Sequence, residues 1–264
     1  MRTVLAALDS DASGRPVLSS AIALADLLDA TITCLHVRED KLSAAAQLAR
    51  EAGLELREVK GAPVEQIVAA AQDPDVAALV LGARDDRGGG PQPVGRTALE
   101  VITRTPKPVA VVPPQAHPPR QITRILVPLE GTSASSQALD DALRLAHRHS
   151  LEVLVLHIHS PATVPAFADH EPHAVLTWEQ EFLSRYTSIP HDRITLLRRF
   201  GVPADDIVAV ADETSADLIV IAWSQNLARG HAHVVSDVLA RTNIPVLLLP
   251  VQQTPMLPDT STTS

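Results

Sequence analysis

The stretch LVLGARDDRGGGPQPVGRT, from Leu79 to Thr97, holds five of the chain's eleven glycines. Glycine amides at the mouth of a helix bind phosphate, because the N–H groups point outward and no Cβ blocks a close approach. Asp85 and Asp86 bring like charge into the same loop, where Arg84 or Arg87 can pair with them, and Gly88, Gly89 and Gly90 supply further amides. Asp9 stands just past an apolar run, where a carboxylate accepts from an adenine amine or a ribose hydroxyl. The same position also suits the cap of a following helix. The histidines fall in pairs such as His157 with His159, His170 with His173 and His231 with His233, and the single cysteine is Cys34. A metal centre wants three or four converging ligands, so none is expected. No G-x-S-x-G elbow, P-loop or kinase set occurs, so no catalytic residue is assigned.

Groups of this kind need elements to hold them, and the chain builds its elements twice. Residues 3–37 align with 124–158 at an offset of 121, setting Asp9 against Glu130 and His36 against His157. Residues 59–83 align with 199–223 at an offset of 140, and TRTPKPVAVVP (103–113) with ARTNIPVLLLP (240–250). The chain reads as a tandem duplication: 1–115, a Pro-rich linker at 116–120, and 121–251 with a helical insertion at about 160–190. Residues 252–264 read as a disordered tail. In the insertion Trp178, Phe182 and Tyr186 recur at helical spacing, as a stripe for packing, a lid or an interface.

Within each copy, short Val/Ile/Leu runs (VLAAL, ITCLHV, AALVLG, PVAVVP) are apolar on both faces, as parallel strands between helix layers must be. Segments such as PVLSSAIALADLLDA carry the three- and four-residue period of amphipathic helices. Asp9-Ser10 and Ser133 stand where helix starts need an acceptor. The fold class is α/β, with two doubly wound domains, each a five-stranded mainly parallel sheet flanked by helices. Any ligand is expected at the carboxyl ends of the strands. A net charge of −9 argues against a nucleic-acid partner. No run approaches the length needed to span a bilayer and the N-terminus lacks a signal-peptide pattern, so a soluble cytoplasmic protein is expected.

The repeated unit is a strand ending in Asp, an LHV strand, a G-x-P helix start, a strand ending in Gly, and a final x-P-V-x-V-V-P. It resembles the universal stress protein family, whose fold is adenine nucleotide alpha hydrolase-like. The resemblance implies a non-catalytic stress-response protein that pairs, here as an intramolecular pseudo-dimer or a homodimer. It also implies ATP, with Mg²⁺, held by Gly, two residues, Gly, nine residues, then Gly followed by Ser or Thr. Gly82 and Gly95 fit that spacing, Asp85 replaces the middle glycine, and Arg96 replaces the hydroxyl, which returns at Thr97. Asp9 and Val37 match the adenosine end, and the Arg96 guanidinium suits phosphate. In the second copy Ala222 and Ala232 replace the outer glycines and His233 the hydroxyl, so that copy reads as having lost the site. A nucleotide-free structural or partner-binding module on the same fold stays open, as does slow ATP hydrolysis by the first copy.

Overall fold

The computed structural model describes residues 1–9, 14–38, 44–83, 94–129, 133–159, 194–223, 225 and 232–250. The first half runs β1 (Thr3–Ala7), α1 (Gly14–Leu27), β2 (Thr31–Arg38), α2 (Ala44–Glu51), β3 (Leu56–Lys60), α3 (Pro63–Ala71), β4 (Val76–Gly82), α4 (Arg96–Arg104) and β5 (Val109–Val112). The second runs β6 (Arg124–Leu129), α5 (Ser133–His149), β7 (Glu152–His159), β8 (Ile194–Phe200), α6 (Pro203–Glu213), β9 (Leu218–Trp223), α7 (Ala232–Arg241) and β10 (Val246–Pro250). The stripe at Trp178, Phe182 and Tyr186, Glu130, the residues Asp85 to Gly90, and the tail lie outside the described residues.

Each half contributes five parallel strands, and the two sets join into one ten-stranded sheet of order β3-β2-β1-β4-β5-β10-β9-β6-β7-β8. The join is the antiparallel pair β5–β10, with Val109, Ala110 and Val111 opposite Leu248, Leu247 and Val246. One core layer carries the buried faces of α1, α2 and α5 and runs through both halves. The opposite layer does the same with α3, α4, α6 and α7. Continuous apolar strands therefore find a helix layer on each face, which is why they read as unbroken runs.

The helix ends follow one repeated device. Asp29, Gly53, Ser150 and Ser215 adopt positive φ just past α1, α2, α5 and α6. The next amide returns five residues, as Ala30 to Ala25 (2.9 Å), Leu54 to Ala49 (2.9 Å), Leu151 to Ala146 (3.2 Å) and Ala216 to Ala211 (2.9 Å). These are the six-to-one bonds that satisfy terminal carbonyls and turn the chain into the next strand. The G-x-P start of α3 needs its glycine for the backbone, because Gly61 adopts φ 134°. At the start of α6 a Cβ on Gly201 would meet only the movable carboxylate end of Asp206.

The segment between β5 and β6 is fastened down. Ala116 and Ile122 are buried in the α1/α5 layer, and Pro118 and Pro119 lie with Ile122 over Ser20 and Leu24 of α1. The Asp217 carboxylate accepts from Thr123 N (2.7 Å), Thr123 Oγ1 (2.8 Å) and Arg124 N (2.9 Å), fixing the entry to β6. Among the described residues no helix is long and apolar enough to cross a membrane.

Candidate functional site

The connection changes direction between β1 and β4: β2 and β3 lie on one side of β1, β4 and β5 on the other. Such a switch point leaves a crevice outside the carboxyl ends of the two strands. The pairing of Ala7 with Leu35, continued by the bond from Leu8 N to Leu35 O (2.9 Å), brings Asp9 level with Val37. The pairing of Ala6 with Val80 brings Leu8 level with Gly82. Asp9, Val37 and Gly82 therefore share one edge of the sheet, and all three are half-buried. Val37 and Ala7 pack against the α3/α4 layer, so that layer floors the crevice on its β1–β2 side.

His36 holds the β1 end in place. It is 2% exposed and its Nδ1 lies 2.9 Å from the carbonyl oxygen of Leu8, the residue before Asp9. A carbonyl only accepts, so Nδ1 carries the proton. In the second half His157 makes the corresponding contact to Leu129 O, at 3.4 Å. The repeated histidine thus fastens a strand end in both copies. Among the described residues, no group of three or more His, Cys, Asp or Glu side chains is placed to hold a metal ion.

The glycine-rich segment leaves and re-enters the fold at one residue. Ala83 N donates to Val112 O (2.8 Å), and Ala83 O accepts from Gly95 N (2.7 Å). Val94 is buried beside this closure. Sequence reasoning missed Ala83 because its role lies wholly in its backbone. Gly95 is the N-cap of α4, with φ −62°, ψ 149° and no side-chain cap. The first helical bond runs from Leu99 N to Gly95 O (3.0 Å), so Arg96, Thr97 and Ala98 form a first turn whose amides have no acceptor within the helix. Aligned peptide dipoles add partial positive charge there. Thr97 is half-buried in that turn, whereas the Arg96 side chain is exposed, with Nε 3.6 Å from Glu100 Oε1. The structure thus brings Asp9, Val37 and Gly82 to one edge of the sheet, ties Gly95 to that edge through Ala83, and leaves the Arg96 side chain exposed on α4.

Asp9 lies two residues past β1 and five before the first residue of α1, Gly14, whose added Cβ would lie 3.8 Å from Asp9 O. The second half differs at the same edge. Trp223, at the position of Ala83 by the repeat, is 4% exposed, and its Nε1 is buried without a hydrogen-bond partner. An indole therefore fills part of the α6/α7 layer where the first half has a methyl group.

The family model of the universal stress proteins matches residues 38–113 and 121–250. The chain belongs to the universal stress protein family. A universal stress protein from Archaeoglobus fulgidus DSM 4304 superposes with a TM-score of 0.64 at 17% identity, over 94% of this chain and 96% of that one. A putative universal stress protein from Pseudomonas aeruginosa UCBPP-PA14 gives 0.67 at 17% identity, over 95% and 93%. A protein of unknown function from Pseudomonas aeruginosa PAO1 gives 0.65 at 16%, over 95% and 92%. At these identities the likeness speaks to the fold, which is the doubly wound tandem architecture expected from the repeat. A search of curated proteins found no match. The first family match begins at residue 38, so Gly82, Gly95, Arg96 and Thr97 lie inside it while Asp9 and Val37 precede it.

Proposed function

We propose that this universal stress protein binds an adenine nucleotide in its first half and uses the bound state to bias its own conformation or a partner, without catalysis. The observation that carries the reading is that neither outer glycine is needed by the backbone. Gly82 is a strand residue and Gly95 sits at φ −62°, a value any residue adopts. What glycine contributes at both positions is therefore the missing Cβ, which matters where another group approaches the main chain closely. The first turn of α4 after Gly95, whose amides have no acceptor within the helix, suits phosphate, and Asp9 with Val37 suits adenosine. Thr97 offers its hydroxyl to the phosphates. Mg²⁺, arriving with ATP, would offset charge on the triphosphate.

In the second half Ala222 and Trp223 stand in place of Gly82 and Ala83, so one nucleotide per chain is expected. The competing reading, a nucleotide-free structural or partner-binding module in the cytoplasm, draws on Arg96, whose side chain lies along Glu100.

The deciding experiment purifies the protein without added nucleotide, denatures it and identifies any small molecule released. Release of an adenine nucleotide, or a thermal shift with ATP and Mg²⁺, is expected; Gly82→Val and Gly95→Val each abolish it, and Ala222→Val does not. No released nucleotide together with no thermal shift would sink the reading. An equal loss from Ala222→Val would remove its assignment to the first half.

A further inference from the structure

Helix α4 is held at its far end by the other half of the chain. Gln225, two residues past β9, donates through Nε2 to Thr105 O (2.7 Å) and to Ile102 O (3.2 Å), across more than a hundred residues of sequence. These are carbonyls of the last turn and C-cap of α4, which have no acceptor role within the helix. Gln225 adopts φ 57°, a conformation that a non-glycine residue keeps only where its surroundings hold it.

The matching helix of the second half closes its own end. Both helices close with a C-cap amide bond, Thr105 N to Val101 O (3.0 Å) in α4 and Thr242 N to Val238 O (2.9 Å) in α7, but in α7 the threonine hydroxyl also accepts from Ile244 N (3.0 Å). Thr105 occupies the place of Thr242 by the repeat, yet its hydroxyl is buried without a partner. The end of α4 therefore lacks the hydroxyl bond of α7, and two of its terminal carbonyls accept from Gln225.

We infer that Gln225 is a positioning residue through which the second half sets the α4 N-terminus, and hence the affinity of the first-half nucleotide site. This rests on the nucleotide reading above for its ligand, though not for its mechanics. Helix α4 is nine residues of rigid backbone pinned to Ala83 at Gly95, to Gln225 at Thr105, and to α3 through the Arg104–Glu65 pair. A displacement at Gln225 must move the first-turn amides or break one of those pins. By linkage, occupation of the α4 N-terminus favours the conformation in which Gln225 is docked.

The test measures backbone amide exchange and ATP–Mg²⁺ affinity of the full chain for Gln225→Glu and Gln225→Lys. The first is nearly isosteric but turns an acceptor toward two acceptors. The second keeps donors and suits a helix C-terminus. Gln225→Glu is expected to speed exchange at Gly95 and Leu99, at the opposite end of α4, and to weaken ATP binding, each by about fivefold or more, while Gln225→Lys stays close to wild type. Gln225→Gly, which relieves the φ and removes the donors, should follow Gln225→Glu and serves if that variant does not fold. Faster exchange at Thr105 alone, or equal effects of Glu and Lys, would overturn the coupling. A wild type that binds no ATP while Gly95 and Leu99 still respond would overturn the nucleotide reading and leave the coupling standing.

Discussion

Replacing Gly95 by Asp should raise the stability of the fold and abolish nucleotide binding. Gly95 is an N-cap with the extended φ and ψ that capping residues use, but it has no side chain to cap with. An aspartate there can accept from the first-turn amides of α4 and place negative charge at the positive end of its dipole. Together these contribute about 0.5–1 kcal/mol relative to glycine. For a chain of this size that corresponds to a rise in Tm of about 1–4 °C. The same carboxylate takes the donors a phosphate needs and repels it. Unit charges about 4 Å apart near a protein surface interact by about 4 kcal/mol, so the affinity should fall by a factor on the order of a thousand. Thermal melts without ligand and calorimetric titration with ATP–Mg²⁺ read the two effects separately. Unchanged affinity would place the phosphates elsewhere, and a lower Tm would show that the α4 amides are already engaged by the protein. Opposite signs from one substitution are the signature of a helix terminus left uncapped for a ligand.

Burial pushes the Cys34 thiol pKa up, and the side chain is fully enclosed in β2, so native protein at pH 8 should resist a thiol reagent. Its labelling rate should rise steeply with denaturant; a rate indifferent to denaturant would show that local opening reaches the strand. The two bonds from Arg104 to Glu65, at 2.7 and 2.9 Å, hold that carboxyl below the usual range. Its contribution to stability is then present above the ordinary glutamate pKa, about 4.3, and lost as pH falls through the lowered value. In urea titrations below pH 5, Glu65→Gln should flatten the acid limb, and an unaltered limb counts against the linkage. Leu248→Ala, in β10 opposite Val109, should cost about 2–5 kcal/mol. Because both core layers cross the join, tryptophan fluorescence (Trp178 and Trp223, both in the second half) and far-UV circular dichroism should lose stability together, in one transition. Two resolved transitions would mean that the halves unfold separately.

The doubly wound architecture was legible because its cause is compositional: strands packed on both faces must be apolar throughout, and the repeat supplied every such strand twice. The shared edge of Asp9, Val37 and Gly82 followed from that order. Helix ends were harder to read. The segment expected to be helical as far as Ala30 stops at Leu27, because Asp29 takes a left-handed conformation that pattern reasoning assigns to glycine. Ser150 and Ser215 hide the same turn. The guanidinium of Arg96, expected at the phosphates, belongs to an exposed side chain with Nε 3.6 Å from Glu100 Oε1. Gln225 gave no signal, since its partners are main-chain carbonyls more than a hundred positions away. Periodicity reports which side of an element is apolar, not which distant backbone it will meet.

The β5–β10 join makes the pairing of the halves independent of dose. Two separate copies held by such a strand pair would dissociate on dilution, and their assembled fraction would follow expression level. A covalent connection through residues 113–123, itself fastened to α1 and to Asp217, replaces that equilibrium with a fixed local concentration. Freed from the need to match a twin, each copy can also change on its own. A substitution such as Trp223 then alters one face of the assembly, whereas in a symmetric pair it would appear on both.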